Sequence, residues 1–198
     1  MVGIIYLILI QLGGRMLSQF FSKKMKHILT TFLALFIMNT ASSQSIYDIS
    51  INTIDGKEIK MNEFQDKYIL IVNVASYCGY TSQYSAMQKL HDKYDNLVVL
   101  GVPCNQFGMQ EPGSEKEIQT FCESKYNIDF PMTEKIDVKG SNQHNLYEWL
   151  TSKRTNSIDD YTVSWNFNKF LISPKGELLS YYKSGVDPMD DSITNLIK

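Results

Sequence analysis

The chain has 198 residues, 43% of them hydrophobic, enough for one globular domain with a sizeable core. Its formal charge is −2, and every Asp and Glu lies at or beyond Asp48. Beyond the early basic residues Arg15, Lys23, Lys24 and Lys26, 15 Lys and Arg face 21 acids, a balance near −6 without a basic cluster, which argues against a nucleic-acid partner.

The first 43 residues read as an export segment. A short apolar run, Ile4–Ile10, comes first; Lys23, Lys24 and Lys26 then precede a second one, Ile28–Met38, and small residues through Ser43. A basic stretch, an apolar run within ~7–15 residues and small residues before a cut after Ser43 make a signal peptide. Neither run reaches the ~20 residues that span a bilayer, although an uncleaved membrane anchor stays open. Met25 is the more conventional start, so residues 1–24 read as an over-extended beginning. The expected organisation is residues 1–43 for export, to the periplasm or outside the cell, and residues 44–198 as the folded domain.

Asp55-Gly56 between short β-prone stretches in Tyr47–Ile59 predicts a hairpin. Tyr68–Ala75 and Leu97–Val102 are nearly continuous apolar runs, as in strands buried on both faces. Between them, Tyr84, Met87, Leu90, His91 and Tyr94 fall at helical spacing over Thr81–Tyr94. Ser114-Glu115-Lys116-Glu117 has the capping-box pattern and opens a helix through about Lys125. Another helix is predicted over His144–Ser152. Phe167–Ile172 and Glu177–Tyr182 flank the turn Pro174-Lys175-Gly176, and Asp187-Pro188 is expected to start a terminal helix. A β-α-β unit followed by a hairpin and a final helix implies an α/β, thioredoxin-like fold with a mixed central sheet flanked by helices.

The chain has three cysteines, Cys78, Cys104 and Cys122, an odd number without zinc-site spacing. Cys78 follows a buried strand and precedes a helix, where unpaired N–H groups favour a thiolate. In thioredoxins this turn carries two cysteines separated by two residues. Thr81 stands in the second position here, so no disulfide forms within the turn and one thiolate is left to attack an electrophile. On this residue alone, a buried inert cysteine is an equal reading. The turn-rich loop Gly101–Gly113 follows the next strand, and Ser164-Trp165-Asn166-Phe167 precedes a later one. Gln, Trp and Asn supply neutral N–H donors that stabilise a thiolate and the oxygen leaving a broken O–O bond.

NVASYCGYT, GVPCNQFGMQEPG and WNFNKF resemble the three signature segments of the glutathione peroxidase family, in the same order and with similar spacing. The likeness runs from about Ile46 to the C-terminus. It implies a thioredoxin-like fold and a catalytic tetrad: Cys78 at the peroxidatic (or selenocysteine) position, with Gln110, Trp165 and Asn166 as its partners. Arg154 is the only arginine of the domain, so the arginine contacts that hold glutathione in some relatives are largely missing. Phe121–Tyr126, around Cys122, resembles the resolving-cysteine segment of members reduced by thioredoxin.

The resulting expectation is a thiol peroxidase acting on hydrogen peroxide and organic or lipid hydroperoxides in oxidative stress. It would use no metal or organic cofactor and be recycled by a thioredoxin-like dithiol or glutathione. The short stretch between His144 and Trp165 lacks the insertion typical of tetrameric members and points to a monomer. Cys104 reads as structural. The alternatives are a redox sensor or relay using the same residues, and a thiol–disulfide oxidoreductase, which Thr81 disfavours.

Overall fold

The computed structural model describes residues 44–198, within a compact unit running from Ser43 to Lys198. The expected export segment, residues 1–43, lies outside the described residues. The domain opens with a 3₁₀ turn, Ile46–Asp48, closed by a reciprocal cap: Tyr47 N–H donates to Ser45 Oγ and Ser45 N–H to the Asp48 carboxylate. Strands β1 (Ser50–Asn52) and β2 (Glu58–Lys60) form the predicted antiparallel hairpin. Its turn contains Gly56 at φ +83°, a left-handed conformation that glycine adopts without strain.

The main sheet has the order β4-β3-β5-β6. Strand β3 (Tyr68–Val74) pairs parallel with β4 (Leu97–Pro103) and antiparallel with β5 (Lys169–Ile172), which pairs antiparallel with β6 (Leu178–Tyr182). Because strand side chains alternate, each central strand feeds two cores. Ile69, Ile71, Leu100, Val102, Phe170 and Ile172 pack on one face, with Leu146, Tyr147, Trp149 and Leu150 of helix α3 (Asn145–Thr151) and with the hairpin residues Ile51 and Ile59. Leu70, Val72, Val74, Val99 and Leu171 pack on the other. There they meet Tyr84, Met87 and Leu90 of α1 (Tyr84–Lys93), Ile118 and Cys122 of α2 (Glu115–Tyr126), and Ile193 of the terminal helix. The apolar runs of β3 and β4 are therefore continuous because both faces are covered.

Local signals account for most element ends. Ser114 Oγ accepts from Glu117 N–H while the Glu117 carboxylate accepts from Ser114 N–H, the predicted capping box. Helix α2 ends at Asn127, whose φ of +53° is left-handed. A four-residue helix absent from the sequence reading, α4 (Lys153–Asn156), follows α3. The terminal helix departs from expectation as well. Asp187 Oδ1 accepts from Met189 N–H to form a turn, and α5 (Asp191–Thr194) starts later, capped by Asp190. The reason is chemical: both aspartates are good caps, and the second one lies next to the residues that complete the helix.

Strand β4 is at one edge of the sheet, and the segment after α2 covers it. Gly101 N–H donates to Pro131 O at 3.0 Å, and Thr133 N–H to Gly101 O at 2.9 Å. Inside the sheet, the one polar residue of the β3 core run, Asn73, is fully buried. Its Nδ2 donates to Trp165 O at 3.0 Å and its Oδ1 accepts from Asn168 N–H at 3.0 Å. Asn168 Nδ2 in turn donates to Ser184 Oγ, which donates to Asn166 O at 2.6 Å.

Asn73→Leu keeps the approximate volume but strands the buried Asn168 N–H, and is expected to cost about 2 kcal/mol. Urea unfolding at unchanged m-value measures this; wild-type stability in the variant would show that the network is dispensable.

Candidate active site

Strand direction decides which loops meet. The parallel strands β3 and β4 end side by side, with Val74 opposite Pro103, and antiparallel β5 starts at the same edge, with Lys169 opposite Val72. The loop carrying Cys78, the loop Cys104–Ser114 and the segment Ser164–Asn168 therefore leave one edge of the sheet. Cys104 N–H donates to Val74 O, and Tyr77 N–H to Gln110 O at 3.1 Å, which ties the first two loops together one residue from Cys78.

Cys78 is a free thiol, 9% exposed. The Tyr80 N–H points at its sulfur at 3.5 Å. Thr81 fixes this turn: its Oγ1 accepts from Cys78 N–H at 3.0 Å and lies within 2.7–2.8 Å of the carbonyls of Cys78 and Ala75. Residues Thr81–Gln83 form a 3₁₀ turn before α1, so the donor at the sulfur is a loop N–H and not the first turn of the α-helix.

Gln110, Trp165 and Asn166 come together. Fully buried Asn166 donates from Nδ2 to Gln110 Oε1 at 3.0 Å, which leaves the Gln110 amide N–H groups as donors. Gly108, at φ +66°, and Met109, at φ +55°, turn the chain sharply just before Gln110. A Cβ on Gly108 would lie 3.5 Å from the Trp165 ring, so the glycine and the indole are close neighbours. Trp165 itself is 39% exposed and stacks obliquely on Phe107. Gln106 of the same loop has a different job: its Oε1 accepts from the N–H groups of Val138 and Lys139 and its Nε2 donates to Lys139 O.

The other two cysteines are buried and free. Burial pushes the Cys104 thiol up, and it packs in the core with its sulfur close to Gln106. Cys122, 1% exposed on the inner side of α2, belongs to the same core as Cys78. Burial raises its thiol to about 11 against a small downward pull from Tyr84.

Three residues near the site escaped the sequence reading. Asn73 was hidden inside an apolar run. Glu111, next to Gln110 in a turn-rich loop, is fully buried, and burial lifts its carboxyl to about 7. Lys169 is fully buried too; its Nζ donates to Phe167 O at 2.8 Å, and burial lowers its ammonium to about 8. Its carbonyl partner, Phe167, is held at φ +62°, an unusual conformation for a bulky residue.

The chain matches the family model described as Glutathione peroxidase over residues 46–151. A Bacillus subtilis (strain 168) protein named Glutathione peroxidase homolog BsaA is 42% identical over 158 residues, covering 78% of this chain and 99% of that one. A Synechocystis protein (strain PCC 6803) named Hydroperoxy fatty acid reductase gpx1 is 39% identical over 158 residues, 76% of this chain and 94% of its own. Among solved structures, that of T. cruzi GPX1 is 33% identical with a TM-score of 0.59, over 77% of this chain and 95% of that one. Similarity of this extent, on a thioredoxin-like sheet with the signature loops at one edge, means that the chain belongs to the glutathione peroxidase family and is a thiol peroxidase reducing hydroperoxides.

Proposed function

We propose that Cys78 is the peroxidatic nucleophile, with Gln110 and Trp165 as its N–H donors and Asn166 completing the tetrad by holding Gln110, and that the physiological substrates include organic and lipid hydroperoxides beside hydrogen peroxide. The observation that supports this reading is the Asn166–Gln110 hydrogen bond, which occupies the Gln110 amide oxygen and leaves its N–H groups to donate, in a loop whose Gln110 O is held by Tyr77 N–H one residue from Cys78. The Cys78 thiolate attacks one peroxide oxygen, the O–O bond breaks, and the departing alkoxide or hydroxide takes a proton to leave as alcohol or water. Amide and indole donors suit this step because they stabilise oxygen charge without competing as nucleophiles.

An apolar rim favours long-chain substrates. Tyr77, 68% exposed, and Met109, 76% exposed, stand out from the two loops, and Tyr80 of the Cys78 loop and Trp165 of the Ser164–Asn168 segment are partly exposed as well. The printed name of the Synechocystis relative fits such a substrate.

The proposed reductant is a thioredoxin-like dithiol, with glutathione as the alternative. Cys122 would act as resolving cysteine: its thiol condenses with the Cys78 sulfenic acid, releasing water and leaving a disulfide for the dithiol to reduce. Arg154, the sole arginine of the domain, is engaged by Glu148 at 2.9 Å, which leaves little to grip a glutathione carboxylate. Buried Cys122 sits within a capped helix, so the reading requires α2 to unwind locally on oxidation. The working form is proposed to be a monomer exported by residues 1–43, with a role in the oxidative stress response.

The decisive experiment is peroxide consumption by the full chain with reduced thioredoxin or glutathione supplied separately. Turnover with thioredoxin is expected, and Cys78→Ser is expected to abolish it; no turnover with either donor, after one equivalent of peroxide is consumed, would favour a redox relay with a dedicated partner. Gln110→Ala is expected to slow oxidation of Cys78 about a hundredfold, read by stopped-flow Trp fluorescence; an unchanged rate removes Gln110 from the mechanism. Cys122→Ser should stop thioredoxin-coupled turnover while permitting a single fast oxidation, and full turnover in that variant would rule out the resolving role.

A further inference from the structure

The turn that carries Trp165 and Asn166 lies outside helix and strand, yet three consecutive carbonyls in it are each held by a side chain from outside the turn. Trp165 O accepts from Asn73 Nδ2 at 3.0 Å, Asn166 O from Ser184 Oγ at 2.6 Å, and Phe167 O from Lys169 Nζ at 2.8 Å. The three donors come from β3, the loop after β6, and β5, and all are buried. Ser184 O closes the set: it accepts from Gln83 Nε2 at 2.7 Å and lies 3.5 Å from Lys169 Nζ.

Neutral asparagine and serine suffice for the first two carbonyls, so the lysine at the third calls for an explanation. Lys169 lies on the same face of the sheet as Leu171, the face that packs against α1, and is fully buried. Among the described residues no carboxylate is within ion-pair reach of its Nζ, and Asp187 acts only at longer range. Burial lowers the ammonium to about 8, so it stays charged at neutral pH in a place where a charge is costly. A methionine would fill that space without the cost. What the charge gains is a strong hold on one oxygen. That oxygen belongs to Phe167, whose φ of +62° is uphill for a bulky residue and persists only under restraint. The Phe167 ring is fixed as well, edge-on to Tyr84 at 5.5 Å.

We propose that Lys169 is a positioning residue for the peroxidase reaction: by gripping Phe167 O it keeps the turn in the shape that directs Asn166 Nδ2 onto Gln110 Oε1 and sets the Trp165 indole beside Gly108. This rests on the reading of Cys78 and its tetrad above. Released from the ammonium, Phe167 relaxes towards negative φ, which rotates the adjoining Asn166–Phe167 peptide. The Asn166 amide then leaves Gln110, and the Gln110 amide loses the partner that fixes its orientation. A donor displaced by about 1 Å is enough to slow cleavage of the O–O bond many-fold. In this role Lys169 acts only through Asn166 and Gln110.

The test compares the full chain with Lys169→Met and Gln110→Ala. Oxidation of Cys78 by hydrogen peroxide is followed by rapid quench with an alkylating agent and mass spectrometry. In Lys169→Met it is expected to slow about tenfold, less than in Gln110→Ala. Nitrogen-edited NMR reads the position of the turn directly. Of the two tryptophan indole signals, that of Trp165 is expected to shift and that of Trp149, in the core on the other face of the sheet, to stay. A lower urea midpoint with a wild-type oxidation rate would mark a merely structural role and overturn the proposal. A slower rate with the Trp165 signal unmoved would overturn it as well, since the effect would not run through this turn. Should Lys169→Met not fold, Lys169→Gln, which keeps a neutral N–H donor, takes its place under the same criteria. If Gln110→Ala oxidises at the wild-type rate, the tetrad reading fails and the proposal with it; a slow Gln110→Ala beside a wild-type rate in Lys169→Met overturns the proposal alone.

Discussion

Asn73 is buried in the middle of the sheet, where an amide is tolerated only if both its ends are satisfied. The partners available are the backbone of Trp165 and of Asn168, across a strand that joins the fold some ninety residues later. Satisfying Asn73 therefore fixes the path of the segment that presents Trp165 and Asn166. Ser184 then holds Asn166 O from the other side, and Gln83 ties the Ser184 carbonyl to the start of α1. Pieces of the chain far apart in sequence are positioned by one polar group that the apolar core cannot leave unpaired.

The three thiols show how the same side chain acquires different chemistry from its surroundings. Cys104 is sealed in the core beside a glutamine whose amide is engaged with backbone, and burial keeps it protonated. Cys122 is also kept protonated by burial, within the same core as Cys78. Cys78 has a backbone N–H aimed at its sulfur and a turn braced by Thr81. In place of a second cysteine, that threonine gives the turn rigidity: its single oxygen meets the backbone of Ala75 and Cys78. The fold thus exchanges a local redox partner for a fixed nucleophile and leaves any second thiol to another element.

What was legible in the sequence was chiefly what is decided locally. Gly56 has the left-handed φ its turn implied, Ser114 and Glu117 cap each other, and the apolar runs of β3 and β4 are covered on both faces. The thioredoxin-like class followed from element order, and the family from three motifs whose loops do meet at one sheet edge. Long-range effects were not legible. Asn73 was absorbed into an apolar run, because burial of its amide depends on a strand far along the chain. Glu111 lies between a glutamine and a proline in a loop that reads as surface, yet Asn105 holds its N–H and the loop folds it inward. Asp187 satisfies the cap rule but spends its side chain on a turn, since nothing local ranks it below Asp190.

The cover on strand β4 bears on what happens if α2 ever opens. Edge strands of apolar sheets are templates for pairing with other chains, and β4 is buried along its whole length. The segment Pro131–Thr133 that shields it is attached by its own hydrogen bonds to Gly101, and its middle residue, Met132, also accepts at O from Ile54 N–H near the first hairpin. These bonds do not depend on the helix that precedes them. A change of shape in α2 can therefore be absorbed between Ser114 and Asn127 while the sheet edge stays closed. Were α2 to open, the edge of the sheet would stay paired and no template for aggregation would be exposed.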